Sequence, residues 1–103
     1  MNYLKIAGEE YPIKYGRKAL AAVLKLAGAK SMKDASKIDE IPLNKWANFI
    51  LCGLSSGAEL MDTSPPTLEV IDAALDYDVT LFTLASSFFA DDMTPPKVET
   101  EGN

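Results

Sequence analysis

Histidine is absent from the 103 residues, and cysteine occurs once, at position 52. The first absence removes the commonest general base, the commonest metal ligand and every Ser-His or Cys-His nucleophile pair. The second leaves no intrachain disulfide and, with histidine missing, no structural zinc site. Cys52 sits beside Leu51, Gly53 and Leu54 with no cation close by, which predicts an inert thiol packed as a small apolar residue. Such usage fits a reducing, cytosolic setting. No apolar run approaches the ~20 residues that span a bilayer. The start, Met1-Asn2-Tyr3-Leu4-Lys5, lacks the basic segment and apolar core of a signal peptide. Cations are also in deficit, with 10 Lys and Arg against 15 Asp and Glu and a formal net charge of −5. An acidic surface repels phosphate backbones, so the expected partners are proteins, not nucleic acid or membrane.

The acidic residues form no catalytic arrangement. Glu9-Glu10, Asp39-Glu40 and Asp91-Asp92 are the adjacent pairs, and all fall at expected turns or element ends, where solvated charge belongs. Asp76 and Asp78 bracket Tyr77 without the ligand ladder or glycine of a calcium loop. Gly16-Arg17-Lys18 lacks the leading glycine and the Lys-Ser/Thr ending of a P-loop. Ser55-Ser56-Gly57 lacks the spacing of a nucleophile elbow. The expectation is a binding protein without catalytic, metal or cofactor residues.

What is present is apolar and periodic. Tyr11, Ile13 and Tyr15 alternate with Pro12 and Lys14, the period of a half-buried strand. With Tyr3-Leu4-Lys5-Ile6 before it and Gly8 between, this predicts a β-hairpin over 3–15. Pro12 cannot donate to a ladder, so its strand should be an edge or bulge there. A lone hairpin is marginal in water and must lie on helices. Helices are predicted at about 17–27, 31–38, 43–60, 68–75 and 79–90. The first has Leu20, Val23, Leu24 and Ala27 as its buried stripe, with Gly28 as a left-handed C-cap. The helix over 43–60 is apolar on most of its circumference and belongs at the domain's centre, where Gly53 and Gly57 permit close approach of another element. Ser64 or Thr67 can cap the next helix, and Asp78 the last. The fold class is therefore α+β, mostly helical: one domain over 1–90, with the hairpin packed on a small bundle of four to five helices. Residues 91–103 are acidic and proline-bearing, which predicts a flexible tail.

Adjacent helical residues point about 100° apart. Phe88 and Phe89 therefore cannot both face one narrow core, unless the hairpin or tail covers them. Phe88, Phe89 and Met93 are the candidate partner-binding surface. Trp46 is expected in the core.

The run Leu4-x-Ile6-x-Gly8-x-x-Tyr11-x-Ile13-x-Tyr15-Gly16-x-x-Ala19-Leu20, the apolar segment Gly53-Leu54 to Gly57-Ala58, and Thr67-Leu68-Glu69-x-Ile71-x-x-Ala74 together resemble the tail assembly chaperones of long-tailed bacteriophages and prophages. The resemblance spans about residues 3–90 and is densest from Leu4 to Leu20. It implies a non-enzymatic assembly factor of the bacterial cytoplasm, left out of the mature virion. Its implied partners are the tape measure protein, kept soluble, and the tail tube protein, recruited around it. It also implies that a longer product can arise by ribosomal frameshifting. No binding residues carry over position by position, and self-association is open. The competing reading is a small acidic regulatory module, antitoxin-like or an anti-repressor, that binds another folded protein. Its acids are scattered rather than set in a phosphate-like row.

Overall fold

The computed structural model describes residues 1–28 and 41–93. The chain opens with strands β1 (Asn2–Ile6) and β2 (Glu9–Ile13), paired antiparallel with Leu4 opposite Tyr11 and Ile6 opposite Glu9. A two-residue loop joins them, and Ala7 and Gly8 both have positive φ, 53° and 85°. Positive φ at both central positions matches the right-handed strand twist, as in a type I′ turn. Pro12 pairs with Tyr3 in a two-stranded sheet, so both strands are edges and the missing donor is tolerated.

Among the described residues four α-helices follow: α1 (Arg17–Leu26), α2 (Trp46–Met61), α3 (Leu68–Tyr77) and α4 (Thr80–Met93), with a short 3₁₀ turn at Leu43–Lys45 leading into α2. The expected helix at 31–38 lies outside the described residues, as does the expected tail over 94–103. Gly28, with φ 74°, ends α1 as expected. Thr67 caps α3 by accepting from the Val70 N–H, and the Asp78 carboxylate accepts from the Thr80 N–H at the start of α4. The buried stripe of α1 is turned from expectation. Ala19 and Val23 are fully buried, whereas Leu20 and Leu24 are half-buried. The small Ala19 side chain is what faces the rest of the domain, which brings α1 close.

α2 is the hub. Ala47, Phe49, Ile50, Gly53, Leu54, Gly57 and Ala58 are all buried along it. Against it lie Leu4, Ile6, Ile13 and Tyr15 from the hairpin side, Val23 from α1, Ile71 and Leu75 from α3, and Ala85 from α4. Each fully buried Leu or Ile stabilises by ~1.5–3 kcal/mol. Three such residues are therefore enough to hold a hairpin that would not persist alone. The helix tolerates this crowding because of its glycines. A methyl group on Gly53 would lie 2.6 Å from the Tyr15 ring, and one on Gly57 would lie 2.6 Å from the Pro12 carbonyl carbon. The end of β2 thus rests on bare helix backbone, where the Lys14 N–H donates to the Gly53 carbonyl at 3.0 Å.

α4 runs to Met93, three residues beyond its expected end, and this corrects the reading of 91–93 as tail. Asp92 explains the extension. Its carboxylate accepts from the Tyr15 N–H at 2.8 Å and pairs with the Lys14 ammonium at 3.1 Å. The side chain is only 9% exposed, so Asp92 is not the solvated charge that its position beside Asp91 suggested. Asp91 is exposed.

Candidate functional site

Phe88, Phe89 and Met93 sit half-buried against the core. Phe89 meets Tyr15 edge-on with ring centroids 5.1 Å apart and lies 5.6 Å from Phe49. Tyr15 in turn stacks on Phe49 at 5.1 Å, and its hydroxyl donates to the Phe49 carbonyl at 2.9 Å. The two neighbouring phenylalanines are thus both accommodated, because the Tyr15 end of the hairpin segment supplies a second surface beside α2. Burial holds the Tyr15 phenol well above its ordinary pKa, with smaller contributions from Cys52 and Asp92, so it serves as a neutral hydrogen-bond donor. Trp46 is half-buried as well. It stacks face to face on Phe82 at 4.0 Å while its indole N–H donates to the Ile41 carbonyl. Trp46, Phe82, Phe49, Tyr15 and Phe89 form one connected run of ring contacts joining the hairpin side, α2 and α4.

An open feature lies in the groove between α1 and α2. It has a volume of about 640 Å³ and is open along one side rather than enclosed. Ala19, Ala22 and Leu26 of α1 and Leu51 and Cys52 of α2 supply its apolar floor. Lys18 and Lys25 stand on the α1 wall, with Asn48, Ser55, Ser56 and Glu59 on the α2 wall. The helical period makes this alignment. Positions 18, 22 and 25 recur on one face of α1, as do 48, 52, 55 and 59 on one face of α2. The lining, from Asn48 to Glu59, extends roughly 16 Å along α2 at about 1.5 Å per residue.

Cys52 lies half-buried in this floor, and burial raises its thiol pKa, partly offset by a backbone hydrogen bond. It is a thiol at working pH and contributes apolar surface, in keeping with the expectation for it. No group of His, Cys, Asp and Glu able to hold a metal is found among the described residues. No described helix is long and apolar enough to cross a membrane. A smaller cleft of about 260 Å³, between the start of α2 and α3, has a more polar lining that includes Glu69 and Asp72.

Sequence reasoning did not single out the α1–α2 groove, although a signal for it was present. Leu51 and Cys52 are apolar yet lie off the line of Ile50, Gly53, Leu54 and Gly57, so α2 carries more apolar surface than one layer of neighbours can cover. What could not be read was which side stayed open, since that depends on where α3, α4 and the hairpin settle. Compared with protein-family models, curated proteins and solved structures, the chain matches none.

Proposed function

We propose that this protein is a non-enzymatic chaperone that holds an apolar helical segment of another polypeptide in the α1–α2 groove. The groove carries this reading. It is long, open on one side and floored by alanine, leucine and cysteine, the form that receives one face of an amphipathic helix. An enclosed cavity would suit a small molecule better. Following the resemblance of residues 4–20 and 67–75 to phage tail assembly chaperones, the proposed client is a tape measure protein, with the tail tube protein as a second partner during tube growth. The acidic body, at net charge −5, would keep the loaded complex soluble.

Co-expression with a helical tape measure fragment provides the test. The fragment should stay soluble and co-elute with the chain. Ala22→Trp, at an exposed helical position on the groove floor, should leave the helical circular dichroism signal unchanged and weaken binding at least about tenfold, the cost of losing roughly 1.4 kcal/mol of contact. Phe88→Asp belongs beside it. Loss of binding in folded Phe88→Asp, with Ala22→Trp intact, would move the contact surface to Phe88, Phe89 and Met93. A fragment equally soluble with and without the chain would refute the chaperone reading.

A further inference from the structure

The groove has a sign. The molecule carries a net charge of −5, yet among the described residues the charged ones lining this groove are two lysines and one glutamate, Lys18, Lys25 and Glu59. Among the described residues, the positive charge lining it is on the α1 wall. α1 bears Arg17, Lys18 and Lys25 and no acidic residue. Among the described residues, none of Lys18, Lys25 and Glu59 forms an ion pair, the pair found there being Lys14–Asp92. Lys18 and Lys25 are exposed, seven positions apart on one helix face. They stand roughly 10 Å apart along the axis, at 1.5 Å rise per residue.

Resting on the groove as the binding site, we infer that its occupant is an amphipathic helix with acidic residues at i and i+7 along one edge of its apolar stripe. Those two carboxylates would align with Lys18 and Lys25 when the stripe lies on Ala22, Leu26, Leu51 and Cys52. The seven-residue repeat keeps both on one edge of a helix, as the lysines are on α1. The walls differ in charge, so the pairing also fixes which edge of the client faces α1. A client with basic residues on that edge would set like charges against the lysines, and complementarity of this kind selects partners and register more than it adds affinity.

Three synthetic peptides of about 18 residues, long enough to form helix on binding, provide the test. They share one Leu/Ala stripe and carry Glu, Gln or Lys at the two edge positions. Titrated against the full chain by calorimetry, the Glu peptide should bind about tenfold tighter than the Gln peptide and the Lys peptide weakest, from two partly exposed pairs. The preference should shrink in about 0.5 M salt, where the screening length falls to a few ångström. In the double variant Lys18→Glu, Lys25→Glu the order should reverse, which a general loss of folding cannot produce. Equal affinities for all three peptides would overturn the charge inference and leave the groove reading standing. Binding by none would remove both. Sedimentation of the protein alone covers the other occupants. A dimer broken by Ala22→Trp, or tighter peptide binding after removal of residues 94–103, would place a second copy or the chain's own acidic end in the groove and overturn the assignment.

Discussion

At the scale of single residues, neighbours in sequence do opposite things. Asp91 and Asp92 both lie in the last turn of α4, which has no basic residue there to balance the negative helix end. Asp91 has no partner in return among the described residues, whereas Asp92 binds the Tyr15 N–H and Lys14. Asp92→Ala should therefore destabilise by about 1–3 kcal/mol, since it strips a shielded N–H of its partner. Asp91→Ala should be neutral or stabilising by about 0.5 kcal/mol. Urea denaturation of the two variants side by side measures the difference, and equal effects would refute the latch. Tyr15 adds a pH dependence. Burial raises its pKa in the folded chain, while the unfolded chain titrates it near the ordinary phenol value of about 10. Above that pH the unfolded state binds fewer protons, so stability is complete below about pH 10 and falls as pH rises past it. Denaturation midpoints from about pH 8 to about pH 11 should show this fall. Tyr15→Phe should flatten it while losing the bond to the Phe49 carbonyl.

At the scale of elements, local chemistry sets most ends, and the hairpin turn is where it is least satisfied. Ala7 holds φ 53°, a left-handed conformation that disfavours a Cβ by about 1–2 kcal/mol. Asparagine tolerates it better, and Asn-Gly is the favoured pair for this turn. Ala7→Asn should raise stability by about 0.5–1 kcal/mol, read as a higher melting temperature with the hairpin unchanged. The cap at Asp78 and the Gly28 stop were legible in advance, and the structure selects Thr67 over Ser64 for α3, because a cap is a relation between residues two or three apart. The end of α4 was not. Asp91, Asp92 and Met93 look like the start of a polar tail, and only the Lys14–Tyr15 segment, 77 and 78 positions away, gives Asp92 a reason to stay helical.

At the scale of the whole molecule, one helix organises the rest, and its glycines determine how closely the hairpin sits. Alanine at 57 would gain about 1 kcal/mol of helix propensity. Its methyl, however, would press into the Pro12 backbone, which has no rotamer to yield. Overpacking of this kind costs typically 1–3 kcal/mol, so Gly57→Ala should be destabilising on balance. Because the hairpin and helices share one core, the loss should appear at one urea midpoint by Trp46 fluorescence and by helical circular dichroism. Separate midpoints would show that the hairpin leaves α2 independently.

Periodicity and punctuation alone established the hairpin, the helical content, the central place of α2 and the apolar setting of Cys52. These follow from spacings within a few residues, and from a run of apolar side chains that no single face can absorb. The three-dimensional packing established the rest: Asp92 as a latch, Phe89 set edge-on to Tyr15, and an apolar groove left open between α1 and α2 with lysines on one wall. The physical reason is range. A cap or a turn is settled by adjacent backbone, but a side chain's exposure depends on which distant element reaches it first, and the apolar flank of α2 stays open because the hairpin, α3 and α4 share its other sides.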